Sequence, residues 1–98
     1  MAGEEQAKEV VRTFKTISAE LCREKIEIVA SVTDNELKID VYCHSPEDTR
    51  IMIGVGGSVR IAINKILDSK ARIINLEKRV ALWVYQKKVV VQPELQLA

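Results

Sequence analysis

Apolar residues recur at every third or fourth position through the first part of the chain. The recurring set comprises Ala7, Val10, Val11, Phe14, Ile17 and Leu21. Because a helix turns once in about 3.6 residues, this spacing predicts a helix with one apolar stripe. A single stripe cannot bury itself, so the helix must pack on another element.

Two stretches with a period of two follow this helix. The apolar members are Ile26, Ile28, Ala30 and Val32 in "KIEIVASV", then Leu37, Ile39, Val41 and Cys43 in "LKIDVYC". Alternation of this kind predicts half-buried strands. Asp34 and Asn35 lie between the two stretches and tolerate the left-handed backbone of a tight turn. We expect an antiparallel hairpin.

The stretch "SPEDTRIMI" predicts a short helix. Ser45 suits the capping position, Pro46 the first helical position, and Glu47 and Asp48 the first turn, where the helix dipole favours carboxylates. Glycines end this helix. A second, longer helix is then predicted from the stripe formed by Val59, Ala62, Ile63, Ile66 and Leu67.

The segment 68–78 fits either a continuation of that helix or a loop or short strand. The next stretch, "RVALWVYQ", predicts a strand with Val80, Leu82 and Val84 on one face. On the other face, Trp83 and Tyr85 are spaced to stack bases, although core or interface packing is the commoner role of such aromatics. The valines at 89–91 extend this strand or pair elsewhere.

Composition indicates one soluble domain over residues 1–98, with a core of about 5–86 and a C-terminal extension of 87–98. The chain is 47% hydrophobic and 30% charged. It shows neither a signal peptide nor an apolar run long enough for a bilayer, so we expect a cytoplasmic protein. Cys22 and Cys43 fit reduced core residues. Since the sequence contains no catalytic or metal-ligand pattern, we expect neither an enzyme nor a cofactor or metal site.

Charge is distributed unevenly along the chain. Residues 1–49 hold 6 Lys/Arg and 11 Asp/Glu, whereas residues 50–98 hold 9 and 3. The halves therefore carry −5 and +6, which sum to the net charge of +1. The basic half suits an anionic partner. The alternative is a solvated surface on which the charges of both halves mix after folding.

Three glycines lie within the run "IMIGVGGSVR", at Gly54, Gly56 and Gly57. A Gly-x-x-Gly turn between two helices leaves backbone N–H groups exposed where the second helix begins, and it lets a sugar-phosphate chain approach closely. The other interpretation is a purely structural tight turn. Ser58 could cap the second helix or reach a phosphate oxygen, and Arg50, Arg60 and Lys65 are close enough in sequence to add charge.

The order helix-strand-strand-helix-GXXG-helix-strand, with the run "SPEDTRIMIGVGGSVRIAINKIL", resembles a KH domain of type II, the prokaryotic arrangement. It is particularly similar to small stand-alone bacterial KH proteins, from the first helix to about Tyr85. The resemblance implies an α+β fold in which helices pack on one face of a three-stranded mixed sheet. It also implies binding of single-stranded RNA or DNA, with about four nucleotides clamped at the loop.

The resemblance also implies roles for individual residues. Gly54 and Gly57 match the motif glycines, with Val55 and Gly56 between them. Ile53 and Val59 match positions that help form the apolar groove for bases. One position departs from the pattern, because the family commonly has lysine or arginine where this chain has Val55.

The departure at Val55 weakens the expected binding unless Arg50, Arg60 or the pair Lys78–Arg79 compensates for the missing cation. An apolar residue at a loop tip also suits a protein contact. The alternative function is therefore a protein-interaction or oligomerisation module on a KH scaffold, with weak or no RNA binding. Val55, Ile61 and the valines at 89–91 motivate it.

Overall fold

The computed structural model of the protein describes residues 3–87. A short 3₁₀ turn, Val55–Gly57, separates the second and third helices. The elements in chain order are α1 (Glu4–Leu21), β1 (Glu27–Val32), β2 (Glu36–Cys43), α2 (Pro46–Ile53), α3 (Ser58–Ile73) and β3 (Arg79–Gln86).

The three strands form one mixed sheet in the order β1-β2-β3. β1 and β2 are antiparallel, as the predicted hairpin requires, with Ala30 opposite Ile39. β2 and β3 are parallel, with Ile39 opposite Leu82. The α+β class and the mixed three-stranded sheet are therefore confirmed.

The core lies between the helices and one face of the sheet. β2 contributes four fully buried residues to it, and every second residue of β3 faces the same way. The helices contribute Phe14 from α1, Met52 from α2 and Leu67 from α3, each fully buried. Burial of these side chains stabilises the fold by roughly 1.5–3 kcal/mol each. The strand residues of the core are Leu37, Ile39, Val41, Cys43, Val80 and Leu82.

One expectation about burial is wrong, and one open alternative is narrowed. On β1, Ile28 is half-buried, but Ala30 and Val32 are exposed because β1 is an edge strand that α1 covers only in part. On β3, Trp83 and Tyr85 are 46% and 42% exposed, so core packing is excluded for them, whereas base stacking and an interface contact both remain open. They point away from the helices, toward a side of the sheet that no described helix covers.

The segment 68–78 contains the end of a helix and a tight turn that leads out of it. α3 continues to Ile73, and Asn75 then adopts a left-handed conformation with φ of 62°. The N–H of Leu76 donates to the carbonyl of Ala71 at 2.7 Å, and the N–H of Asn75 donates to that of Arg72 at 3.1 Å. This bond pair is the Schellman arrangement, in which asparagine can replace glycine.

Some expectations fall outside this description. Most of the predicted C-terminal extension, including the valines at 89–91, lies outside the described residues. Among residues 3–87, no helix is both long and apolar enough to cross a membrane. Cys22 and Cys43 are both free thiols, with Cys43 fully buried and Cys22 partly buried.

Candidate nucleic-acid interface

The start of α2 is fixed by a buried aspartate. Ser45 caps the helix as predicted, since its hydroxyl accepts from the N–H of Asp48 at 3.1 Å. The fully buried Asp48 carboxylate accepts from the N–H groups of Arg23 and Glu24, each at 3.0 Å. These two bonds hold the pKa of Asp48 below its usual value. They tie α2, and with it the glycine loop, to the segment that follows α1.

All three glycines of the loop adopt a positive φ. The values are 76° at Gly54, 61° at Gly56 and 81° at Gly57. A Cβ on Gly54 would lie 2.5 Å from Val59 Cγ2 and 2.6 Å from the Val59 nitrogen, so this position has no room for a side chain. A Cβ on Gly56 would meet no heavy atom within 4 Å. The backbone at Gly56 is therefore open to a close approach.

The glycine loop closes on itself through its own backbone. The N–H of Gly57 donates to the carbonyl of Gly54 at 3.1 Å, and the N–H of Ser58 donates to that of Val55. Gly57, not Ser58, occupies the capping position of α3. Of the two roles predicted for Ser58, a contact with a phosphate oxygen is the one that remains.

The apolar residues around the loop differ in exposure. Val55 forms the tip and is 93% exposed. Ile53 and Val59, the predicted groove residues, are each half-buried, and Val59 packs against the core. The surface beside the loop is thus partly apolar, and its most exposed point is a valine.

The predicted cations have different environments. The Arg50 side chain is 73% exposed, with its guanidinium 3.9 Å from the Glu47 carboxylate. Arg60 donates to the carbonyl of Leu82 at 3.0 Å. Lys78 donates to the carbonyls of Thr33 and Asp34, in the β1–β2 turn, at 2.7 and 3.0 Å. Arg50, on α2, therefore stays exposed, as does Arg79 at the start of β3.

A row of α3 side chains covers part of the outer edge of β3. Asp68 accepts from the N–H of Val80 at 2.9 Å. Asn64 donates to the carbonyl of Val80 and accepts from the N–H of Leu82, each at 2.8 Å. Arg60 completes the row at the Leu82 carbonyl. The sequence analysis did not predict that these three residues bond the β3 backbone, although their four-residue spacing on one helix was a visible signal.

The helix-free side of the sheet carries aromatic side chains. The rings of Tyr42 and Tyr85 are stacked, with centroids 5.2 Å apart. The Arg60 guanidinium lies 4.6 Å from the centroid of the Trp83 ring, which is a cation–π contact. Asp40 is the β2 partner of Trp83 in the parallel pairing. We call Tyr42, Trp83 and Tyr85 the aromatic face.

Metal-ligating side chains do not cluster within residues 3–87. No group of three or more His, Cys, Asp or Glu side chains there could hold a metal ion. Burial raises the pKa of the Cys22 thiol to about 12, with the nearby Cys43 contributing, and burial also raises the pKa of Cys43. Neither thiol is primed as a nucleophile.

Comparisons with known proteins give one structural likeness. No protein-family model matches the chain, and no curated protein matches it. Its fold is similar to part of Era from Aquifex aeolicus, a variant of which was crystallised with GDP and aluminium fluoride. The TM-score is 0.55 at 23% identity, over 83% of this chain and 30% of the Era chain.

This likeness concerns the fold alone. The chain spans 30% of the length of the Era structure. Together with the α+β arrangement, the likeness is consistent with the KH-like fold that the sequence resembles.

Proposed function

We propose that this protein is a type II KH-like module that binds single-stranded RNA and clamps the phosphate backbone at the loop Gly54–Gly57. The observation that carries the proposal is the open, positive-φ backbone at Gly56 between two helices. The sequence resembles type II KH domains, which bind single-stranded nucleic acid, and the fold described above agrees with that resemblance. Single-stranded DNA can meet the same backbone contacts. We propose a binding module, not an enzyme, without a cofactor.

The loop would act on the nucleic acid through its backbone. A phosphate that rests on Gly56 and Gly57 meets no Cβ and lies at the positive end of the α3 dipole. Ser58 supplies a hydroxyl there, and Arg50 supplies an exposed cation. Bases beside the loop would rest on the apolar surface of Val59 and Ile53.

Binding is expected to be weak because few cations surround the loop. Val55 replaces the usual lysine or arginine, and Arg60 reaches to the Leu82 carbonyl at the β3 edge, so it does not replace that cation at the loop tip. If one or two phosphates are neutralised, raising salt from about 50 to 200 mM lowers affinity roughly three- to sevenfold. Fluorescence anisotropy with a short single-stranded RNA at both salt concentrations measures this change. A salt-independent affinity would contradict phosphate contacts at the loop.

Two loop variants test the clamp itself. Gly56→Asp with Gly57→Asp places two carboxylates where phosphates are expected, and aspartate tolerates the left-handed backbone better than most residues. Gly56→Asn with Gly57→Asn is the matched control, because asparagine has the same size and backbone tolerance without the charge. We expect the aspartate variant to lose at least about tenfold in affinity, and the asparagine variant to lose less.

The outcome separates a clamp from a structural turn. Equal affinity of the wild-type protein and the aspartate variant would exclude the loop as the binding element. Circular dichroism of each variant checks that the fold is retained.

The exposed tip favours a second candidate function, a protein-interaction module on the same scaffold. Val55 is 93% exposed and apolar, which suits contact with another protein. For contact between copies, sedimentation across a range of protein concentrations tests the idea, with Val55→Lys as the comparison. A strict monomer at all concentrations contradicts the homomeric form of this function.

A further inference from the structure

The aromatic face is an exposed surface with no assigned role. Trp83 and Tyr85 are 46% and 42% exposed, and both extend from β3 on the side of the sheet opposite the core. Large aromatic side chains are normally buried or placed at a contact surface. Aromatic rings on a sheet are also the surface on which several RNA-binding folds stack unpaired bases.

Arg60 connects the aromatic face to the glycine loop. It lies three residues after Gly57, and its side chain reaches the outer edge of β3 at Leu82. The same guanidinium lies over the Trp83 ring. A strand leaving the loop past Arg60 therefore meets Trp83 next, so the two surfaces are continuous around the edge of β3.

The charges of this face favour one orientation of a nucleic-acid strand. Asp40 lies between Val29 and Trp83 in the strand register, at the middle of the face. Its Oδ2 is 3.8 Å from the Lys38 ammonium, and its buried Oδ1 accepts no hydrogen bond from any residue between 3 and 87. The Asp40 carboxylate, whose side chain is 16% exposed, repels phosphates from the centre of the face. Arg60, at the β3 edge, attracts phosphates.

The same carboxylate argues against a second copy as the occupant. A symmetric face-to-face dimer would bring the Asp40 side chains of both copies toward each other across a desolvated contact, where like charges are costly. A strand with its phosphates at the β3 edge and its bases turned inward avoids this repulsion.

We infer that an RNA strand clamped at the glycine loop continues around the edge of β3 and stacks one or two bases on Trp83 and Tyr85. This inference rests on the proposed function, since it needs the strand to enter from the loop. The aromatic face then acts as a second subsite, which lengthens the site beyond the about four nucleotides of the loop and its groove. Stacking there also adds affinity that compensates for the weak electrostatic attraction at the loop tip, where Val55 stands in place of a cation.

Trp83 reports on this subsite directly because it is the single tryptophan of the chain. Titration with single-stranded RNA of about twice the four-nucleotide length should quench its fluorescence as the bases stack. RNA of about four nucleotides should bind at the loop and leave the fluorescence nearly unchanged. Anisotropy of labelled RNA in the same samples shows that binding has occurred in both cases.

Substitutions then locate the subsite. Trp83→Leu and Tyr85→Leu should each lower affinity for the longer RNA about tenfold, without changing affinity for the short one. Trp83→Phe should restore most of the affinity because it keeps an aromatic surface. Ile73→Ala is the matched control, because Ile73 is also apolar and exposed, at 76%, but lies at the far end of α3 from the loop.

The results distinguish this inference from the proposed function. If the aspartate loop variant loses affinity but both leucine variants bind the longer RNA as the wild type does, the loop clamp stands and the aromatic subsite is wrong. If the aspartate loop variant binds RNA as the wild type does, the proposed function is wrong, and this inference is wrong with it. Tryptophan quenching that follows protein concentration without RNA would instead identify the face as a contact between copies, and would overturn the inference.

Discussion

Gly54 has no space for a side chain, whereas Gly56 is open, and this difference predicts different costs of substitution. At Gly54 a Cβ would overlap Val59, and the backbone values of φ 76° and ψ 171° belong to a region that only glycine visits readily. Gly54→Ala should lower the free energy of unfolding by about 2 kcal/mol or more. Gly56→Ala should cost about 1 kcal/mol, from backbone strain alone. Urea denaturation of both variants measures the difference, and equal costs would contradict it.

Asp48 predicts a dependence of stability on pH. Its pKa in the folded protein lies below the unfolded value of about 3.9. The carboxylate therefore contributes stability that is complete above the unfolded pKa and is lost as pH falls through the folded pKa. Asp48→Asn should lower Tm at neutral pH by roughly 5 °C or more, and should flatten its decline below about pH 4.

Calorimetry across this pH range tests the prediction for Asp48, with the exposed Asp34→Asn as the control. An Asp48→Asn protein with the pH profile of the wild type would show that another group controls acid unfolding.

Single residues also show how far sequence reasoning reaches. The glycines and the capping serine could be predicted, because their roles depend on local backbone geometry. The contact that Arg60 makes could not be predicted, since its partner Leu82 is on β3, 22 positions further along the chain. The burial of Asp48 was missed for the same reason, as its partners follow α1.

At the scale of elements, Asn64 joins α3 to β3 and predicts a measurable loss when it is removed. Asn64→Ala leaves the carbonyl of Val80 and the N–H of Leu82 without their partner. Because both groups are partly buried, we expect a loss of about 1–3 kcal/mol in the free energy of unfolding. Urea denaturation measures it, with the neighbouring exposed Lys65→Ala expected within about 0.5 kcal/mol of the wild type. An equal effect of both changes would contradict the role of Asn64.

Element type was easier to predict than element environment. Periods of 3.6 and two residues identified the helices and the strands, because both follow from backbone geometry. The exposure of Val32 and Trp83 was not encoded in those periods. Alternation separates two faces of a strand, but it does not show which neighbouring element covers each face.

At the scale of the whole molecule, the charge asymmetry of the sequence is partly neutralised by folding. Glu9 in the acidic half lies 3.8 Å from Lys70, and Glu27 lies 2.6 Å from Lys87. Charges that are separated along the chain are therefore mixed on the surface. Overall charge consequently predicts less about a nucleic-acid site than the local surroundings of Arg50 and Arg60.

The two thiols predict how the whole molecule responds to alkylation. A raised pKa leaves less reactive thiolate at neutral pH, so Cys22 should react at least about a hundredfold more slowly in the folded protein than in urea, and Cys43 should also react more slowly. Iodoacetamide labelling followed by mass spectrometry measures the ratio, and Cys22→Ser separates the two sites. Rapid labelling of the folded protein at Cys22 would contradict the partial burial of its thiol.

The covered edge of β3 has a consequence for the number of chains that can join through the sheet. Val80 and Leu82 are occupied by α3 side chains, whereas within residues 3–87 no side chain bonds the outer backbone of β1. Addition of a strand at Val80–Leu82 is therefore blocked, whereas the outer backbone of β1 can still pair. Two copies that pair along β1 would each use up that edge, and neither could then add a further strand at Val80–Leu82.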